Sequence, residues 1–271
     1  MKYVTSRGID CTLITNAALI TPAMARSLRE AGLGRIQVSL HHFVPEVSDE
    51  ITGANDSLCR TLRGTIALLK EFSPDTVNIN MVAHRRTAGD VYRMGCFLRP
   101  YGIMSFTVGV MSCSGLAKAN DLTISIANLQ SILAQLAELR SGFGMNVGLT
   151  GGVPFCAIPR DIEAEVHVNN TCDAAIHQIV IGPNGDCRPC VELPFVGGNI
   201  YRDSIEDIWM SSPFEQVRMF HNVPTDCRSC RFVSSCHGGC RASAYNFTGS
   251  ICGKDFLMPS EIPSGFLLAN T

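Results

Sequence analysis

The chain has no apolar run of about eighteen residues, and no apolar core follows its first residues, Met1-Lys2-Tyr3-Val4-Thr5-Ser6-Arg7-Gly8; neither a membrane helix nor a secretory signal is indicated. Charge of one sign is also missing. The 22 basic and 24 acidic residues leave a net charge of −2, so there is no field to draw in nucleic acid or an anionic membrane, and neither is expected as a partner. No G-x-G-x-x-G follows a strand and no G-x4-G-K-[ST] occurs, so a phosphate-cradling loop is not indicated. Tryptophan occurs once, as Trp209, where a packing anchor is the expected role. Cysteine is abundant instead, with 13 residues. An odd count, no export signal and 271 residues argue against a disulfide scaffold and for ligands in a reducing cytosol, and the protein is expected to be soluble and cytoplasmic.

The first part of the chain alternates strand and helix patterns. Ile9 to Ile14 reads as a short buried strand, Thr21-Pro22 as an N-cap followed by proline at the first helical position, and Gly32 and Gly34 as the stop. Arg35 to Leu40 is a second strand. A helix is predicted from Ser57, with Leu58, Leu62, Ile66, Leu69 and Phe72 as its apolar stripe. Strands at Thr76–Ala83, Met104–Met111 and Asn146–Thr150 alternate with helices at about Gly89–Arg99 and Ser125–Arg140. This alternation predicts an α/β fold with right-handed crossovers and a parallel sheet. In such sheets ligands collect at the C-terminal strand ends, which places attention on Asn16, on Ser39 to His42, on Ala83-His84-Arg85 and on Ser112 to Gly115. Asn16 also reads as a turn residue. The adjacent His41 and His42 must point in different directions, and no nearby donors complete a metal site around them. From Gly151 to Asn170 the chain reads as an irregular linker. Beyond it a strand at His177–Ile181, a turn at Pro183-Asn184-Gly185, a second strand through Cys187, and short helices at Ser204–Trp209 and Pro213–Phe220 are expected.

The cysteines gather in the last part. Cys172 is followed by Gly185, Cys187 and Cys190, then by Cys227-x2-Cys230-x5-Cys236-x3-Cys240, and finally by Cys252. Structural zinc usually joins two C-x2-C knuckles across a longer loop, whereas here only five residues separate Cys230 from Cys236. Gly238 and Gly239 remove side-chain bulk where backbone must pass something large. Iron–sulfur clusters suit that crowding better than zinc, though thiolate-only sites serve both.

This pattern resembles the radical SAM enzymes that carry a C-terminal SPASM domain. Their seven-cysteine signature, C-x9–15-G-x4-C, then C-x2-C-x5-C-x3-C, then C, is matched by Cys172, Gly185, Cys190, Cys227, Cys230, Cys236, Cys240 and Cys252. Gly197-Gly198-Asn199-Ile200 and Ser204 to Trp209 are similar to the segments between the two cysteine groups. The resemblance implies a partial radical SAM barrel of about four to five strands over residues 1–155, and over 156–271 a SPASM domain with two auxiliary [4Fe–4S] clusters. By the family's crossed pattern Cys172, Cys190 and Cys240 would serve the first cluster, and Cys227, Cys230, Cys236 and Cys252 the second. Seven thiols leave one ligand short, and Cys156, Cys187 or an open iron position would complete the first cluster.

Upstream, Thr15-Asn16-Ala17 looks like the end of the family's third barrel strand, and Ser39 matches a residue that contacts S-adenosylmethionine. The Asp-Gly expected after it is His41-His42, and the arginine expected before Gly53 is Thr52. The family's C-x3-C-x2-C, which binds the SAM-cleaving cluster, does not occur, nor does its Gly-Gly-Glu. The resemblance therefore implies the C-terminal portion of an enzyme that modifies a peptide or protein. It would carry auxiliary clusters, be inactive alone, and meet S-adenosylmethionine only in an intact enzyme or with a chain that completes the barrel. A non-catalytic electron-transfer subunit and a structural zinc module are the other readings.

Overall fold

The computed structural model describes residues 1–160, 162, 166–169, 172–219 and 223–267. They form two compact units. The first comprises residues 1–111, 127–150 and 160–168, and the second 112–126, 151–159 and 169–271.

The first unit is built on parallel strands. After a short helix α1 (Lys2–Thr5) come β1 (Thr12–Thr15), α2 (Pro22–Glu30), β2 (Arg35–Ser39), α3 (Pro45–Thr52), α4 (Ser57–Leu69), β3 (Val77–Ala83), α5 (Val91–Leu98) and β4 (Ser105–Val110). After α6 (Gly115–Ala119), which belongs to the second unit, the chain continues through α7 (Ile126–Phe143), β5 (Asn146–Thr150) and β6 (His167–Asn169). The six strands form one sheet in chain order, β1-β2-β3-β4-β5-β6, with β1 to β5 paired in parallel. The mixed α/β class with a parallel sheet follows from the alternation in the sequence. The sixth strand falls in the stretch read as a linker, because three residues of His-Val-Asn carry too little periodicity to announce a strand.

Local chemistry explains the element ends. Thr21 caps α2 by accepting from the Met24 backbone N–H at 3.2 Å, with Pro22 in the first turn. The N-terminus of α4 is capped from outside. Asp49 on α3 accepts from the N–H groups of Asp56 and Ser57 at 2.9 and 2.8 Å and from the Ser57 hydroxyl at 2.8 Å, and these bonds hold its carboxyl below the usual carboxylate range.

Three expectations shift. The first strand runs Thr12–Thr15 and alternates exposed with half-buried residues, because β1 ends the strand order and has one neighbour; Ile9 lies outside it, exposed. The α4 stripe holds at Leu58 and Leu62, which are buried, and turns after them: Ile66 is exposed and Leu69 half-buried, while Thr61, Thr65 and Leu68 are buried. A glycine, Gly64, faces the loop after β1, so small residues share the packed face with Leu58, Leu62 and Leu68. The segment between β2 and Gly53, which the family resemblance makes a loop, contains α3, which Pro45 opens and the left-handed Gly53 (φ 65°) closes.

The second unit contains a small antiparallel sheet, β7 (Val180–Ile181), β8 (Asp186–Arg188) and β9 (Gly198–Asn199). It also contains α8 (Ile205–Trp209), α9 (Ser212–Arg218), α10 (Val233–Cys236) and α11 (Arg241–Thr248). The strand expected from His177 begins only at Val180, because the N–H groups of Ile176, His177 and Gln178 all turn back to the Asp173 carbonyl. Phe220, the expected end of the helix now seen as α9, lies outside the described residues. Trp209 packs on Phe214, ring centroids 5.8 Å apart, beneath the Arg218 guanidinium. No helix among the described residues is long and apolar enough to cross a membrane.

Candidate functional site

In the first unit a cavity of about 560 Å³ opens at the C-terminal ends of the strands. Its wall includes Asn16 after β1, Ser39 and His41 at the end of β2, Val82 on β3 and Arg60 and Thr61 on α4. Asn16 uses its side-chain oxygen within its own turn, accepting from the Ala18 N–H at 3.1 Å. The turn thus occupies the side-chain oxygen, and the Asn16 amide N–H groups are the donors left for a ligand. Ser39 and Asn16, the two residues singled out from the strand ends, line the same space.

Arg60 is the one formally charged residue on that wall among the described residues. The family resemblance implies an arginine just before Gly53, where this chain has Thr52. The structure instead presents Arg60 from the first turn of α4, and Thr52 lines the same cavity. Only the docking of α3 and α4 beside β2 could reveal this exchange.

The two adjacent histidines diverge. His41 Nδ1 accepts the Val82 N–H at 3.2 Å, so Nε2 carries the proton. His42 Nδ1 accepts the Val44 N–H at 3.1 Å and its Nε2–H donates to Asp90 at 3.3 Å, in a buried position stacked on Phe43. His84 likewise accepts the Arg86 N–H at 3.2 Å. Burial and then His84 lower the His41 pKa, and burial and then Arg86 lower that of His84. A histidine held below its unfolded value of about 6.5 supports the fold above that value, and the support is lost as pH falls through the folded pKa. Urea midpoints are therefore expected to fall as pH drops from 7 towards 5, and His41→Gln should show a shallower fall; parallel slopes would refute the assignment.

The second unit brings the thiols into two neighbourhoods. Cys172, Cys190 and Cys240 flank an apolar core that includes Cys187, Leu193, Ile208 and Phe214. Cys240 caps α11, its sulfur accepting from the Ser243 N–H at 3.4 Å, a setting that favours thiolate; the Cys190 sulfur accepts from the Glu192 N–H at 3.5 Å. Burial dominates nonetheless and pushes the Cys240 thiol up to about 11. Cys187 is fully buried and its thiol donates to the Gly185 carbonyl at 3.5 Å, the behaviour of a core residue.

Cys156 lines a separate hollow together with Cys227, Cys230 and Cys236. Cys156, one of three alternatives for completing the first cluster, thus lies with the other group of thiols. Cys252 is exposed and does not line this hollow. Among the described residues no three donors converge as a single metal ion requires. The loop between Cys236 and α11 is pinned by Arg241, buried at 5% exposure. Arg241 donates to the carbonyls of Ile251 at 3.0 Å, Gly253 at 2.9 Å and Gly238. Asp255, 2% exposed, accepts from the Cys240 N–H and the Leu257 N–H, both at 2.9 Å.

A family model described as the SPASM iron–sulfur cluster-binding domain matches residues 172–231. The AdoMet-dependent heme synthase of Methanosarcina barkeri is 26% identical over 261 residues, 92% of this chain and 74% of its own. The PqqA peptide cyclase of Ruegeria pomeroyi is 26% identical over 255 residues, 92% of this chain and 66% of its own. The solved structure of Streptococcus suis SuiB bound to precursor peptide SuiA shares the fold with a TM-score of 0.72 at 19% identity, covering 96% of this chain and 60% of that one. The SPASM match implies iron–sulfur clusters, and with these relatives it supports the radical SAM/SPASM family for this chain.

Proposed function

We propose that the second unit carries two auxiliary [4Fe–4S] clusters and that the chain takes part in the radical-based modification of a peptide. The observation that carries this reading is the gathering of seven of its cysteines into two neighbourhoods within and beside the matched domain. The donor set fits: four thiols line one hollow among apolar side chains that exclude water, and the Phe155 N–H bonds the Cys236 sulfur at 3.4 Å. Bound clusters supply electron acceptance or a ligating iron. The chain's own residues hold the thiols in place, through Arg241 and Asp255, and present the substrate.

On this reading the cavity of the first unit takes S-adenosylmethionine, with Ser39 and the Asn16 amide as polar contacts and Arg60 facing its carboxylate. Arg60→Ala is then expected to weaken S-adenosylmethionine binding about tenfold, the worth of a charge-assisted hydrogen bond, in an isothermal titration; unchanged affinity would remove Arg60 from the site. The radical-generating C-x3-C-x2-C would be supplied in the same polypeptide or by another chain, and β1, an edge strand with Ile14 exposed, offers the place for it to pair. The peptide class rests on relatives such as the peptide cyclase.

Anaerobic reconstitution with iron and sulfide tests the central claim. About eight iron atoms per chain are expected for two cubanes. Iron near zero with stoichiometric zinc would sink it.

A further inference from the structure

We infer that Arg241 tunes the redox chemistry of this unit: its buried guanidinium, fixed beside both thiol neighbourhoods, raises the reduction potential of both auxiliary clusters. The inference rests on the cluster-binding reading above and deepens it, leaving the ligand pattern as the family resemblance implies.

The placement of the side chain carries it. Arg241 follows Cys240 directly at the start of α11 and lines the same hollow as Cys172, so it stands with the first group. Its guanidinium donates to the Gly238 carbonyl, and a Cβ on Gly238 would come within 3.1 Å of its Nη2. The charge therefore lies on the turn that joins Cys236 to Cys240. Its bonds to the carbonyls of Ile251 at 3.0 Å and Gly253 at 2.9 Å fix it against both neighbours of Cys252 as well. Its attraction extends to Cys240, Cys227 and Cys236 and to Cys172, so one cation acts on thiols of both groups.

Burial gives that charge its weight. Among the described residues Arg241 is the one buried lysine or arginine, at 5% exposure. Water and salt screen a surface cation, whereas a buried one acts on its neighbours with little attenuation. Reduction adds an electron to a cluster that thiolates already make negative, and a fixed cation nearby favours the reduced form. The three carbonyls keep the guanidinium from turning away, so its orientation is set before any electron arrives. Asp255 offsets part of the effect. It is 2% exposed, accepts the Cys240 N–H at 2.9 Å and is attracted by Arg241.

Redox titration with dithionite, followed by electron paramagnetic resonance on the reconstituted full chain, tests this. Arg241→Met is expected to make reduction of both clusters about tenfold less favourable, about 59 mV for each one-electron couple. Arg241→Lys keeps the charge without the planar fork, and its potentials should stay within about threefold of the parent in equilibrium constant while its urea midpoint falls. A shift as large as that of Arg241→Met would assign the effect to displaced backbone and overturn the inference. Asp255→Asn still accepts the Cys240 N–H through its amide oxygen and leaves the Arg241 charge without its offset, so the cluster held by Cys240 should become easier to reduce by about threefold. Unmoved potentials in Arg241→Met overturn the inference; where that variant holds no iron, an unmoved potential in Asp255→Asn does so. Zinc or no metal in the parent chain would refute the cluster reading and this inference with it. About eight iron atoms in the parent with unmoved potentials in the variants would refute this inference alone.

Discussion

Replacement of Arg241 by methionine is expected to cost the second unit about 3–5 kcal/mol, the range for removing one partner of a buried charged network. The guanidinium is buried at 5% exposure and serves three carbonyls, on Gly238, Ile251 and Gly253, that no other described side chain reaches. Each carbonyl would be left desolvated, at about 1–3 kcal/mol apiece before relaxation. Asp255, 2% exposed and attracted by the Arg241 charge, would lose that compensation. Methionine fills most of the volume, so the loss reports hydrogen bonding and charge rather than a cavity. Trp209 is the single tryptophan and lies in this unit, so its fluorescence in urea follows the transition directly in metal-free, reduced protein. A loss below about 1 kcal/mol would show that water replaces the guanidinium and that the network does not hold the thiol loop. The double variant with Asp255→Asn should lose less than the sum of the two single changes, because each single change leaves the other charge stranded.

The second large effect is expected at Gly64. A Cβ there would stand 1.9 Å from the Ala17 carbonyl oxygen and 2.9 Å from its carbon. Ala17 cannot yield easily: it is fully buried, holds φ 55°, donates its N–H to Thr15 Oγ1 at 3.0 Å and accepts the Ile20 N–H at 2.9 Å. Gly64→Ala must therefore push α4 away from the turn after β1, at or above the upper end of the roughly 1–3 kcal/mol typical of overpacking. The same displacement would part Arg60 from Asn16 across the cavity. Gly142→Ala provides the control. It lies on α7 with nothing within 4 Å of its Cβ, so the gain in helix propensity, up to about 1 kcal/mol, should stabilise the chain. Thermal unfolding by circular dichroism separates the two, and a Gly64→Ala melt equal to that of the parent would refute the contact.

How much of this was legible beforehand depended on how local the cause was. The cap at Thr21, the helix from Ser57 and the strands around Val77, Ser105 and Asn146 arise from neighbours in sequence, so pattern alone located them. The rotated face of α4 was not legible, because apolar periodicity marks Ile66 as buried while a single glycine, by meeting Ala17, turns that residue outward. Asp49 capping α4 was hidden for a similar reason: the acceptor sits on the preceding helix, and the local N-cap, Asp56, makes no side-chain cap bond.

The candidate sites divide in the same way. The seven-cysteine spacing and the tips at Asn16 and Ser39 stand in the sequence by themselves, since ligand spacing and strand ends are local properties. Partnership between distant residues does not. Arg60 enters the cavity because α3 and α4 fold back beside β2, and Cys156 lines one hollow with Cys227, Cys230 and Cys236 because Pro154 seats on the Gly238-Gly239 turn. The sequence determined the number and spacing of these thiols. Only the tertiary structure decided which of them share a hollow, because that choice is made by packing between segments far apart in the chain.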